Sequence, residues 1–417
     1  MLELDSGLEF AAERDAEFFA ALPSLPGVAL FEMNEPGAQP YLARTADIRR
    51  AAERLLRAPE GPSKRLNLRE VAAHIRYRIT GSKFEQTLAL YQHARVHFPR
   101  AYRARTRLRP PVVLKMNLRN EYPRAYITRR VRADEGFYFG PFATRRAAEA
   151  FSEGFLDLFK IRRCQIKIRR DPDFPGCIYS EMKMCLAPCF AGCSKQEYDA
   201  ETGRVLETLE TRGAALIGNY EREREAASAA LDFEGAAALH KRVEKVVAAF
   251  HGLPEVVRRI ELLDAVILQR AAEERTIAVF PVRAGLLAEP LFLRFGELSS
   301  QPRSVEAILR ESLDPEPDAQ GHGLRVDMRR NRGAMGTEAD SQNGWSTRYG
   351  LRAAPADLAD HLSLVARWFY SKPRDGEIFF READWPYRRI LRACSRLLMP
   401  PAPKSAGETS AGPQAPS

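Results

Sequence analysis

Five of the six cysteines, Cys164, Cys177, Cys185, Cys189 and Cys193, fall inside one short window with the pattern C-x12-C-x7-C-x3-C-x3-C. The window, RRCQIKIRRDPDFPGCIYSEMKMCLAPCFAGC, mixes them with Arg, Lys, Pro and Gly and has too few apolar residues to form a core of its own. A cysteine that only packs behaves as a small hydrophobe and can sit anywhere in a core. Thiols gathered in a polar segment suit a soft cation or an iron–sulfur cluster instead. Disulfides are the competing use and need an oxidising compartment. The opening stretch MLELDSGLEFAAERDAEFFAALP is acidic, lacks a basic start and has no unbroken apolar run, so it does not read as a secretory signal. Spacing leaves zinc and an iron–sulfur centre both open. Zinc ligands usually enter as two close pairs, and here only the C-terminal cysteines are close together.

The chain has 417 residues, room for two or three domains. No run approaches the roughly eighteen apolar residues that a spanning helix needs, so a cytoplasmic protein without a membrane partner is expected. The net charge is +9, and arginine dominates the basic side chains. Guanidinium groups favour bidentate phosphate contacts, which makes nucleic acid the first partner to consider and a membrane surface the second. The arginines and lysines concentrate at 49–57, 100–109, 129–132 and 162–170.

Phe10, Phe18, Phe19 and Leu22 predict an amphipathic helix over 1–22. Gly27–Phe31 and Tyr41–Ala43 read as paired strands around the turn Asn34-Glu35-Pro36-Gly37, and Asp47 is an N-cap candidate for a basic helix. Residues 66–98 carry helical periodicity and stop before Pro99. Strands are expected over 112–116 and 125–128, an aromatic turn at 137–142 and a helix over 144–159. Ser194-x-x-Glu197 is a capping box that opens a helical region reaching about Phe250, with breaks near Gly213 and Leu231. Further strands are expected over 262–268, 276–282 and 286–295, with Gly285 in a hairpin turn. Helices are expected from Ser304 to Leu313 and over 355–371. Residues 314–350 read as a mobile loop, and 400–417 as a disordered tail.

Several strings together resemble one family, UvrC, the nucleotide-excision-repair nuclease of the bacterial excinuclease ABC complex. Leu25-Pro26-Gly27-Val28 with Tyr41-Leu42-Ala43-Arg44 resembles its GIY-YIG module, and Asn120-Glu121-Tyr122-Pro123 with Tyr126-Ile127-Thr128 resembles the stretch that closes it. Phe139-Gly140-Pro141-Phe142 matches a family string, as do Arg163-Cys164, Cys177 and Cys185-Leu186-Ala187-Pro188-Cys189. Phe233-Glu234-Gly235-Ala236-Ala237 resembles the UVR motif, a helical hairpin that docks UvrB, another component of the excinuclease ABC complex.

The resemblance implies an α+β fold with six parts. These are an N-terminal helix (1–22), a degenerate GIY-YIG module (23–105), an FGPF and cysteine-rich segment (106–193), a UVR-like hairpin (194–252), a C-terminal α/β region (253–399) and the tail. It also implies a [4Fe–4S]-type cluster on Cys164, Cys177, Cys185 and Cys189, with zinc as the alternative and Cys193 left as a loop thiol. Phe233, Glu234, Ala236 and Ala237 would meet UvrB or a similar helical hairpin protein, and DNA would be the other partner.

The sequence departs from the family where the chemistry is most demanding. The first tyrosine of the nuclease centre falls on Ala29, while the second, Tyr41, is kept. The second-strand glycine falls on Ala43, followed by Arg44. The catalytic arginine falls on Ala51. The metal-binding glutamate, counted back from Pro99, falls on Leu90. Leu90 cannot ligate magnesium and Ala51 cannot clamp a phosphate, so the expectation is a DNA-binding repair protein with an inactive or impaired centre. The alternative is an active, magnesium-dependent, structure-specific endonuclease making one incision. There Glu85 would take the metal after a one-turn shift, and Arg49 or Arg50 would replace the arginine. The hairpin carries His240-Lys241 where the family has an Arg-Asp pair. The family's second nuclease domain and helix-hairpin-helix pair would lie beyond residue 260 and need more room than this sequence offers. Asp375 and Glu377 read as a solvated turn, and Trp385-Pro386-Tyr387-Arg388-Arg389 either meets nucleic acid or pins the last helix.

Overall fold

A computed structural model of the chain describes residues 1–59, 61, 64–132, 134, 136–296, 303–314, 345–346 and 352–399. Most of the loop expected over 314–350, and the tail expected at 400–417, lie outside these residues. The fold is α+β, as expected.

The N-terminal module is an antiparallel sheet of β1 (Ser6–Glu9), β2 (Gly27–Met33), β3 (Tyr41–Thr45) and β4 (Ala72–Ile79), in the order β1-β4-β2-β3. Around it lie helices α1 (Asp15–Ala21), α2 (Ile48–Leu56) and α3 (Lys83–His97). Strand side chains alternate between faces, and β2 is apolar on both. Val28 and Leu30 pack with Phe84 and Leu88 of α3, while Ala29 and Phe31 pack with Phe18, Ile48 and Leu55. Asp47 caps α2 by accepting the Arg50 N–H at 2.9 Å, and this bond and Ser24 hold its carboxyl below the usual range. Gly27 is obligatory for packing, since a Cβ there would lie 2.3 Å from the Arg78 carbonyl oxygen.

Two helices predicted from sequence are corrected. Within 1–22 only Asp15–Ala21 is α-helical, and residues 6–9 pair with β4. Within 66–98 the stretch Ala72–Ile79 is a strand, and helix begins only after Gly81-Ser82. In AAHIRYRI the buried Ile75 and Tyr77 alternate with Arg76 and Arg78, which is a period of two rather than 3.6.

Short α4 (Tyr102–Arg105) leads to a second antiparallel sheet. It contains β5 (Val112–Asn117), β6 (Ala125–Thr128), β7 (Gly136–Phe142) and β8 (Arg258–Arg259), in the order β6-β5-β7-β8. Helix α5 (Arg145–Leu156) covers it. The FGPF string ends β7 and is a packing device. Phe139 stacks on Phe151 at 5.6 Å, and Phe151 meets Phe250 edge-on at 5.6 Å. After α6 (Ile178–Glu181) come α7 (Lys195–Glu210), α8 (Ala214–Ala229) and α9 (Phe233–Phe250). The predicted Ser194/Glu197 capping box is present. The predicted breaks fall at Gly213 and Leu231, both in the left-handed region.

The third sheet joins β9 (Ala265–Arg270), β10 (Thr276–Arg283), β11 (Leu286–Leu287) and β12 (Leu291–Arg294). β11 and β12 both pair with β10. Helix α10 (Val305–Leu313) follows, then the small pair β13 (Trp345–Ser346) and β14 (Arg352–Ala353), then α11 (Pro355–Phe369). The expected elements end with α11. The structure adds β15 (Glu377–Phe380), antiparallel to β9, and α12 (Tyr387–Leu398). Glu377 is therefore a strand residue paired with Arg396 at 2.6 Å, not a turn acid. Trp385 and Tyr387 pack with Ile390 and Phe379, so they pin α12. Among the described residues no helix is long and apolar enough to cross a membrane.

One hydrophobic core runs from Val28 through Phe139 to Leu362, so α11 is fastened to the N-terminal module. The seam is polar as well. Asp360 of α11 accepts from Tyr102 (2.6 Å) and Arg103 (2.9 Å), and Arg95 pairs with Asp357 at 2.7 Å. His361 Nδ1 accepts the Leu287 N–H at 3.2 Å. Burial holds its pKa down to about 4, with Arg95 adding to that and Asp357 and Asp360 opposing it. The unfolded chain takes up this proton near pH 6.5 and the folded one only near 4. The stability His361 contributes is thus present above 6.5 and lost as pH falls towards 4. A His361→Gln variant is expected to recover about 2 kcal/mol of that acid loss, read from urea midpoints at about pH 7 and pH 4.5.

Candidate functional site

The positions that the resemblance assigns to a nuclease centre lie on β2 (Ala29), β3 (Tyr41 and Ala43), α2 (Ala51) and α3 (Leu90). Ala29 faces Ala43 across β2 and β3, and both Ala29 and Ala51 are buried. Leu90 packs against the main core. Tyr41 sits opposite Phe31, its ring 6.0 Å from that neighbour, in the cluster under α1 and α2.

Glu85 and Arg49 are engaged elsewhere, while Arg50 is exposed, with Asp47 3.9 Å away. Ser82 caps α3 and positions Glu85 in its first turn. Glu85 is 1% exposed; it accepts the Gly81 N–H at 2.9 Å and pairs with Arg78 at 3.2 Å. Burial pushes its carboxyl up, against the pull of Gly81 and Arg78. Gly81 lies beyond the Gly27 end of β2, four residues from Phe31 and Tyr41. At strand rise that is about 13 Å, so Glu85 and Tyr41 are not brought together. Arg49 donates to the Leu22 carbonyl at 2.7 Å and the Ala20 carbonyl at 3.2 Å, tying α2 to the end of α1. Arg44 is exposed on β3.

The cysteine segment hangs from a rigid anchor. The Arg162 N–H donates to Tyr198 Oη at 3.0 Å, and Tyr198 in turn donates to the Pro123 carbonyl at 2.7 Å. The Arg162 side chain donates to the carbonyls of Tyr122 and Ile166, and Arg163 pairs with Asp157. These two arginines are structural, contrary to a phosphate role for the start of 162–170. Beyond the anchor, Cys164, Cys177, Cys185 and Cys189 share one electrostatic neighbourhood. Burial pushes the Cys185 thiol up to about 11, and Cys164, Cys189 and Cys177 push in the same direction. Cys193 is buried in the hydrophobic core that also holds Tyr198, with Cys189 as its one neighbour from that set. Among the described residues no three Cys, His, Asp or Glu side chains stand close enough to grip a single metal ion. The donor set still fits an iron–sulfur centre in kind. It is all thiol, and the Ala187 N–H points at Cys185 Sγ at 3.3 Å, the type of bond that tunes a cluster ligand.

The α8–α9 hairpin stands away from the body at its tip. Asp232 caps α9 by accepting the Gly235 N–H, and Phe233 and Leu231 are 68% and 73% exposed. Glu234 and Ala237 are exposed or half-buried at the surface, and Ala236 is half-buried. At the other end Val243 and Val246 are buried in the chain's own fold, while Val247 is half exposed.

A family model described as "UvrC/Cho excinuclease, middle domain" matches residues 112–208, from β5 through the cysteine segment into α7. The "UvrABC system protein C" of Carboxydothermus hydrogenoformans is 28% identical over 318 residues, covering 71% of this chain and 51% of that protein. The protein of the same name from Moorella thermoacetica is 27% identical, over 71% of this chain and 48% of that protein. No solved structure matches. The chain is thus similar to UvrC proteins, through the family model over 112–208 and through the relatives over about 71% of its length, and it spans about half the length of the curated relatives it matches.

Proposed function

We propose that this chain is an excision-repair protein of the UvrC type that binds DNA and does not cut it. The observation that carries this reading is the filling of the nuclease centre. Ala29 and Ala51 are buried, Leu90 packs partly buried against the core, and Glu85 is buried against Arg78 and Gly81. Losing a metal ligand and a phosphate clamp together removes the charge stabilisation on which phosphodiester cleavage depends. The GIY-YIG-like module then serves as a scaffold for the exposed arginines around it. Anisotropy with a fluorescent oligonucleotide tests the reading. Affinity is expected to fall steeply with added salt and to be the same in magnesium and in EDTA. Absence of binding at low salt would refute it.

Cys164, Cys177, Cys185 and Cys189 would hold an iron–sulfur cluster. When bound, the cluster supplies a cross-link that folds a segment too polar to fold by burial. The absence of two close cysteine pairs favours this over zinc. The tip of the hairpin would dock a helical hairpin such as that of UvrB. A Phe233→Glu variant is expected to unfold within about 0.5 kcal/mol of the parent, because the side chain is exposed. It should lose at least tenfold in affinity for UvrB in a titration.

A further inference from the structure

Resting on the DNA-binding reading, we propose that the phosphodiester backbone runs along one arginine track. The track lies in the seam between the second sheet and α11 rather than on α2. At one end is a cavity of about 350 Å³ lined by Arg103, Arg129, Arg130, Arg132 and Asp360. The first turn of α11, at Pro355 and Ala356, closes it. Its acids are already engaged. Asp360 is held by Tyr102 and Arg103, and Asp357 by Arg95. Among the described residues Arg129, Arg130 and Arg132 have no ion-pair partner. Ala354, the N-cap of α11, offers no side-chain cap, so the positive end of the helix dipole adds to the same field.

The track continues towards the other end of α11. Arg367 donates to the carbonyls of Thr106 (3.1 Å) and Arg107 (3.2 Å), and so lies across the loop that carries Arg107 and Arg109. It faces Arg44, Arg109 and Arg107; burial first, then these three charges, pull its pKa down. Ala359, which lines the cavity, is eight residues from Arg367, about 12 Å along the helix. That is some three or four steps of a nucleic-acid strand at about 3.4 Å each. Like charges held this close repel, and a linear polyanion relieves the repulsion along its whole length. Guanidinium groups suit phosphate oxygens.

The full chain is titrated against a fluorescein-labelled oligonucleotide across a salt series. Variants are Arg130→Ala/Arg132→Ala, Arg107→Ala/Arg109→Ala and, off the track, Arg146→Ala/Arg222→Ala. Each track pair is expected to flatten the log–log salt slope by about 1.5 to 2 and to weaken binding about tenfold or more at the lowest salt. Lysine at the same positions should restore the slope, and the off-track pair should match the parent. Inorganic phosphate should displace no more than chloride at equal ionic strength, and polyglutamate should displace less than an equal charge of unlabelled oligonucleotide. Full displacement by phosphate would make this a small-anion site, and displacement by polyglutamate equal to that by the oligonucleotide an acidic-peptide site; either overturns the proposal. So does a parent that binds while the track variants bind equally well, which leaves the DNA-binding reading standing. A parent that does not bind at low salt removes both.

Discussion

A Cys185→Ser variant is expected to purify under anaerobic conditions without the visible absorption band of the parent and with little of its iron and sulfide. Cys185 sits among three other thiols, with burial and those neighbours all resisting its ionisation. A thiolate there needs a cation to neutralise it, which couples the sulfurs to whatever they hold. Structural metal sites contribute on the order of 10 kcal/mol, comparable to the whole stability of a domain. The segment 164–193 of the variant should therefore become the first site of proteolytic cleavage. A Cys193→Ser variant is the control. Its sulfur belongs to the core with Tyr198, and it should keep both band and iron. Equal loss in the two variants would refute the four-cysteine assignment, and zinc in place of iron and sulfide would refute the cluster.

The second large effect concerns Glu85. A Glu85→Ala variant should lose about 3 kcal/mol of stability by urea denaturation, because it leaves Arg78 without its buried partner and the Gly81 N–H without its acceptor. Asp5, 3.1 Å from Arg78, keeps the loss at the lower end of the range for broken buried pairs. Glu85→Gln should cost under about 1 kcal/mol, since its amide oxygen can still accept from Gly81 and no charge is buried. The sign of the pH dependence follows from the raised carboxyl pKa. The contribution of Glu85 is full below the unfolded value of 4.5 and shrinks as pH rises through the higher folded value. The gap between parent and Glu85→Ala should accordingly be wider at about pH 4.5 than at about pH 8. A metal ligand would behave in the opposite way, with activity lost and stability kept or raised.

What the sequence made legible was local. Asp47, Ser194 with Glu197, Gly213 and Gly285 each act within a few residues, through a cap or a left-handed turn, and each is where the sequence placed it. What it hid was non-local. β4 reads as part of a longer helical pattern, because its period-two run from Ile75 to Ile79 is short and leads within a few residues into α3. β15 is short and defined by its pairing with β9. The replacements on which the proposed inactivity rests, Ala29, Ala51 and Leu90, were readable from the sequence alone. The fate of Glu85 was not, because its partner Arg78 lies in the strand that read as helix. The arginine track was equally hidden. It draws on β3, the loop after α4, the β6–β7 connection and α11, four segments that only the fold brings side by side.

The most direct measurement is incision. The full chain is incubated with nicked, bubble and lesion-bearing DNA in magnesium and in manganese, at concentrations that saturate binding. Intact DNA throughout is the expected result. Cleavage that disappears in a folded Glu85→Ala variant would contradict it.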